Sequence, residues 1–390
     1  HVSPTGPPRR APGSRGVDAN SSPITKEPTM LVFDWHLDLS WNALEWNRDL
    51  GLPVTEIRKR EAGMTQKGRG TNTVSFPDLR RGKVAVSSAT LLARHDQGPN
   101  PHPTQPKSGF CSPEASYATA KGQLAYYHAL ERAGTIRILR DWSALEAHTA
   151  DWLKFDQQGG KEPPLGFVIS MEGADPILTP GDLDEWWDAG LRIISLSHYG
   201  NARYSHGTGT PGPLNEKGPE MLKRMQAKGV ILDVTHLADE AMDQALDIFD
   251  GVVLASHHNC RTLCNRQRQL TDDNIRRITG KGGVIGAAFD NWMMDEAWVQ
   301  GTAKSRDVTL ETVVNHMDHV RKISGSAKHV ALGTDLDGGF GTEQSPADLD
   351  TIADLQKIPA ILARRGYSSD DITGIMYGNW YNLMKRAWKK

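Results

Sequence analysis

Cysteine is scarce in this sequence. Three residues, Cys111, Cys260 and Cys264, in a chain of 390 exclude a dense disulfide framework and leave room for one bridge at most. Missing too is any apolar run of the roughly 18 residues that a membrane-spanning helix needs. The C-terminal Trp388-Lys389-Lys390 is polar, so the apolar tail of a lipid-anchor signal is absent from these residues. Neither sign of charge is in excess: Lys+Arg 45 against Asp+Glu 47 gives a formal charge of -2. That balance offers no electrostatic footprint for nucleic acid or an anionic membrane. No G-x-G-x-x-G follows the first apolar run and no G-x-x-x-x-G-K-[ST] occurs, so neither phosphate-cradling signature is in place. A small neutral or zwitterionic ligand fits these absences best.

Residues 1–29 have few aliphatic side chains and are rich in Pro, Gly, Ser and Arg, so they are expected to form a disordered tail or extension. They also lack the apolar core of a secretory signal. A cytoplasmic location is therefore expected, with a signal removed upstream of His1 left open. Residues 30–390 are expected to make a single domain, long for an average one but within the range of an α/β barrel carrying insertions.

What is present is a regular alternation. Short apolar runs rich in β-branched residues occur at Met30–Leu39, Val84–Ala93, Leu165–Met171, Leu191–Ser197, Val230–Thr235, Val252–Ser256, Gly283–Phe289 and Val330–Thr334. Between them lie amphipathic stretches such as Pro113–Ala133, Asp182–Ala189, Pro219–Lys228, Ala238–Ile248, Asp272–Thr279 and Thr309–Ile323. Nearly continuous apolar runs suit parallel strands buried on both faces. Eight of them alternating with helices predict an α/β fold of the (β/α)8 TIM-barrel type, with an open doubly wound sheet as the alternative. The irregular stretch Arg94–Ser112 reads as a working loop.

Most of these strands end in a group that binds metal or moves a proton. The ends are Asp34-Trp35-His36-Leu37-Asp38, Glu172-Gly173, Ser197-His198, Asp233-Val234-Thr235-His236, Ser256-His257-His258 and Thr334-Asp335-Leu336-Asp337. Barrel active sites are assembled at the C-terminal strand ends. Each piece alone is ordinary. His-x-Asp shares a face because the strand period is two, yet the tripeptide is common, and a lone His after an apolar run is usually a hydrogen-bonded core residue. Together they predict a metal site of imidazoles and carboxylates, which suits zinc, with manganese or iron as other candidates. A cysteine-containing zinc cluster at His257–Cys264 is disfavoured, because the remaining cysteine is the distant Cys111. Cys260 and Cys264 are expected on one helical face as small buried residues.

These residues, with Arg268 and Gly333-x-Asp335-x-Asp337-Gly338, give a chain that resembles the membrane (renal-type) dipeptidase family of the amidohydrolase superfamily, from about Met30 to Asn379. The resemblance implies two Zn2+ ions: His36 and Asp38 on one, His236 and His257 on the other, Glu172 bridging. It implies hydrolysis of dipeptides, including those with a D-residue at the C-terminal position, by a hydroxide between the metals. His198 would contact the scissile group, Arg268 the terminal carboxylate, and Asp335 would carry the proton. A homodimer is implied too. Asp290 stands where mammalian relatives carry a Tyr near the substrate; it is read here as a specificity residue pairing with the substrate amine, against the plainer reading of an exposed loop carboxylate. Leu37, between two ligands, is expected to point away from the metals. Trp35, Trp41, Trp46, Trp292 and Trp298 are candidates for the pocket wall or for rim packing. The alternatives are another small amide or lactone as substrate, or a tailoring or non-catalytic relative acting on a carrier-bound peptide.

Overall fold

The structure, a computed structural model, describes residues 30–95, 109–302 and 306–389. Most of the expected working loop, residues 96–108, falls outside the described residues. Its two flanks, Arg94–His95 and Gly109–Phe110, pair as a short parallel ribbon.

All eight apolar runs are strands: β1 (Val32–Leu37), β2 (Val84–Leu91), β3 (Leu165–Glu172), β4 (Leu191–Ser195), β5 (Ile231–Asp233), β6 (Val253–Leu254), β7 (Ile285–Ala287) and β8 (Val330–Leu332). Every residue of β1, β2 and β3 is buried, as strands covered on both faces require. The strands pair in parallel in the order β7-β8-β1-β2-β3-β4-β5-β6. A single parallel bridge, Ala255 to Ile285, brings β6 round to β7. Backbone comes very close at that join. A Cβ on Gly286 would lie 2.0 Å from the Ser256 carbonyl oxygen, and one on Gly333 only 1.7 Å from it, so only glycine lets the ring close there. The result is the expected (β/α)8 barrel.

The helices surround it. Those at Pro113–Arg132, Leu183–Asp188, Gly218–Lys228, Asp239–Ile248, Asp272–Gly280 and Leu310–Ser324 fall within a residue or so of the expected segments. Two start on side-chain caps, with Ser112 accepting from Ala115 N and Thr271 from Asn274 N, each satisfying an amide that the helix leaves unpaired. A further helix, Trp142–Gln158, and a short strand, Ile136–Ile138, lie in the β2–β3 connection. The C-terminal helix Asn379–Trp388 packs against β8 and β1. Its Trp380 stacks on Trp35 at 4.9 Å and 12° and donates to the Leu332 carbonyl. Trp35 is therefore core, pointing outward between Asp34 and His36, and is no part of a pocket wall. Trp41 and Trp46 form a separate buried cluster with Leu92.

Cys260 and Cys264 are both buried, but they bracket a turn, not a helix. Cys264 N donates to Cys260 O across it. The turn ends in the run that carries Arg268, so the backbone must reverse where a helix had been expected.

Candidate metal centre

Strand ends converge on one point because parallel strands in a barrel all leave the sheet on the same rim. His36 is the penultimate residue of β1 and Asp38 follows the strand; Glu172 is the last residue of β3. His236 and His257 lie three residues beyond β5 and β6. All five are at most 5% exposed. Glu172 faces two ways. Its Oε2 lies 3.6 Å from His36 Nε2, while its Oε1 lies 3.1 Å from His236 Nε2 and 3.4 Å from His257 Nε2. His36, Asp38 and Glu172 form one group able to hold a cation, and Glu172, His236 and His257 a second. A third combination, His36 with His257 and Asp335, puts Asp335 against the same centre.

Electrostatics agree with a cation site. Burial opposes charge on His36, yet Glu172 and Asp38 raise its pKa well above the usual histidine value, so a proton takes the place that a metal would fill. Burial, with Arg268 next, holds His236 well below the ordinary value; His257 is lowered too, by burial and His36. Burial likewise raises Glu172 and Asp335, against the pull of His36. His36 Nε2 and Asp38 Oδ1 are buried with no hydrogen-bond partner among the described residues. Orphaned buried polar atoms are costly, and a divalent cation would satisfy both. The donor set therefore fits a metal, and nitrogen and oxygen donors without thiolate suit zinc, manganese or iron.

A profile of the membrane dipeptidase family, peptidase family M19, matches residues 24–389. The chain belongs to the membrane dipeptidase family. The class this family brings is the metallo-dipeptidase. Among related sequences, a Klebsiella pneumoniae protein encoded in the pqqA 5' region is 30% identical over 236 residues, 58% of this chain and 83% of that one. The dipeptidase verJ of Clonostachys rogersoniana is 28% identical over 225 residues, 56% of this chain. The chain spans 55% of verJ and 53% of an uncharacterised Schizosaccharomyces pombe dipeptidase, about half the length of each. Solved structures share the fold. A family M19 metallopeptidase named dipeptidase AC has a TM-score of 0.73 at 23% identity over 93% of this chain and 100% of its own. A Rhodobacter sphaeroides metallopeptidase, bound to a phosphinate mimic of L-Ala-D-Ala, has a TM-score of 0.72 at 23% identity over 92% and 100%.

In this dipeptidase-family chain the remaining candidates surround the centre. His198 follows β4, with Nε2 3.9 Å from Glu172 Oε2 and a buried Nδ1 that has no hydrogen-bond partner among the described residues. Burial, then the charges of Arg94, Arg268 and His36, hold it well below the ordinary histidine value. Asp335 follows β8 and lies 3.8 Å from His36 Nε2. Arg268 is 3% exposed, so it is not a solvated surface charge. It donates to the His257 carbonyl at 3.0 Å and lies 3.3 Å from His236 Nε2 and 3.2 Å from His258 Nδ1. Asp290 is 9% exposed and is not a solvated loop carboxylate. Its Oδ1 accepts from Trp292 N and Gln344 Nε2, leaving Oδ2 without a partner among the described residues. Leu37 is buried, consistent with pointing away from the centre.

Several functional residues escaped the sequence reading. Thr208 Oγ1 lies 2.9 Å from His236 Nδ1, and Ser256 Oγ 2.9 Å from His257 Nδ1. Such bonds put the proton on Nδ1 and leave Nε2 free to bind metal. Asp34 accepts from Thr334 N and Oγ1 and so ties β1 to β8. Asp233 accepts from Ser256 N and ties β5 to β6. Asp337 accepts from the Thr73 and Val74 amides. In each pair of nearby acids, one holds the rim together and the other faces the centre.

Proposed function

We propose that the protein is a dinuclear zinc dipeptidase that hydrolyses dipeptides bearing a free C-terminal carboxylate, those with a D-residue in that position included. One observation carries the substrate. Arg268 is a buried guanidinium whose partners among the described residues are a carbonyl and imidazoles held well below their ordinary pKa. Asp335, Glu172 and Asp233 act on it from a distance, and a buried charge without a directly paired counter-charge is costly; a planar fork beside the second metal group suits a ligand carboxylate. Its fixed distance from the centre would measure substrate length.

Two divalent cations, when bound, lower the pKa of water toward about 7 and polarise a carbonyl oxygen. The chain's own groups do the rest. His198, neutral, offers an N–H to the oxyanion that develops at the scissile carbon. Asp335, as a carboxylate, takes the proton of the attacking water and passes it to the leaving amine. Asp290 Oδ2 faces the substrate amine. Asp290→Asn keeps the Oδ1 acceptor and removes that charge, so it should reorder the ranking of dipeptides that differ near the amine; an unchanged ranking would sink that role.

Elemental analysis with assay of L,L and L,D dipeptides tests the whole reading. Two zinc ions per chain, turnover by the loaded protein, and a raised KM in Arg268→Ala are expected. No dipeptide turnover by the metal-loaded protein would overturn it.

A further inference from the structure

Three groups crowd the imidazole of His236. Thr208 meets its Nδ1 and Arg268 lies beside its Nε2. The ring of Tyr199 is tilted across it, centroids 5.1 Å apart at 58°. Tyr199 also meets His198 edge-on at 4.8 Å and 90°. Arg268 and Tyr199 thus flank one metal-binding side chain, and they differ sharply in exposure: 3% for the arginine, 39% for the tyrosine. Tyr199 stands between the buried guanidinium and open space.

Its backbone is fixed while its hydroxyl is not. The residue follows His198 at the end of β4, bridges to Thr208, and its carbonyl accepts from Arg94 Nη1 at 3.1 Å. The hydroxyls of Tyr127, Tyr204 and Tyr367 are bonded to the Thr90 carbonyl, the Ile177 carbonyl and Asp318. That of Tyr199 has no hydrogen-bond partner among the described residues. A tyrosine phenol ordinarily titrates at about 10, so it is a donor at neutral pH. A carboxylate has lone pairs to spare after a two-pronged arginine contact.

We propose that Tyr199 is a substrate-binding residue whose hydroxyl donates to the same terminal carboxylate that Arg268 holds. The inference rests on the dipeptidase reading. A hydrogen bond present in both ground and transition states affects KM, not kcat. Tyr199→Phe keeps the ring and removes only the donor. In the zinc-loaded full chain it should raise KM for a dipeptide about ten- to a hundredfold, the range for a bond to a charged group, with kcat little changed. Calorimetry with a non-cleavable phosphinate dipeptide should show the same loss of affinity. In an Arg268→Ala background, where the carboxylate is no longer anchored, the effect of Tyr199→Phe should shrink. Unchanged KM and phosphinate affinity, or a loss confined to kcat, overturns the role of Tyr199 while leaving the dipeptidase reading intact. A wild-type protein that turns over no dipeptide overturns the reading itself, and this role with it.

Discussion

His236 and Asp335 both sit in the left-handed backbone region, with φ of 69° and 58°. Residues other than glycine pay about 1–3 kcal/mol for such a conformation, and here it turns each side chain off the strand end into the centre. That conformation is not visible in a sequence, whereas the candidate ligands were legible: His36, Asp38, Glu172, His236 and His257 each lie at or just past the end of an apolar run, and the run fixes where its end must be. Thr208 and Tyr199 were not, because they come from the 199–217 connection, whose irregular turns carry no periodicity and touch His236 only after the chain has doubled back. Thr208→Val keeps the shape and removes the acceptor that orients His236. Metal affinity at the Glu172–His236–His257 group should fall about 10–100-fold, with the His36–Asp38 group little affected. Titration with a coloured chelator, read as two classes of site, checks this; a single undisturbed class would contradict it.

Two histidines outside the centre lock elements together. His148, on the Trp142–Gln158 helix, bonds through Nε2 to the Ala85 carbonyl of β2. His316, on the Leu310–Ser324 helix, accepts from the Cys260 amide through Nδ1. Burial lowers both to about 4. Each must stay neutral in the folded state, while in the unfolded chain it takes up a proton near pH 6.5. Their stabilisation is complete above pH 6.5 and is lost as pH falls toward 4, by about 3 kcal/mol each. Urea denaturation of His148→Gln should show a shallower loss of stability over that window than the wild type. The same helix shows why part of the fold was not legible. Its buried face is Trp142, Leu145, His148, Thr149 and Trp152, so two of its five core positions are polar and the apolar rhythm is broken. Strands β1 to β3 had no such interruption, and eight strands were read from their continuous apolar runs. The π-turn Gly374–Gly378 and the helix after it gave no signal beyond their length.

Across the whole molecule, Asp38 and Glu172, both buried, and the partly buried Asp335 bring three carboxylates to one rim. A cation relieves their repulsion only in the folded state, so metal binding should add directly to stability. At free zinc about a thousand times its Kd the gain is about 4 kcal/mol, and chelation should lower the melting temperature reversibly, as calorimetry would show. No helix among the described residues is long and apolar enough to cross a membrane. The Trp35–Trp380 stack pins the C-terminal helix against β1 and β8 from outside the barrel, and Trp380→Ala should cost about 3–5 kcal/mol without changing metal content. The join between β6 and β7 has a different consequence. Three backbone hydrogen bonds cross that join, from Ala255 N, Gly286 N and His258 N, against six paired residues between β2 and β3, and thermal opening starts where few bonds must break. His257 lies two residues past that join, and through a shared cation it would be laced to His236 and Glu172 on strands farther round the ring. Metal then serves as a buckle as well as a reagent. Hydrogen exchange at the amides of Ala255 and Gly286 should be fast in the apo protein and slow markedly on loading, while the β2–β3 amides barely change.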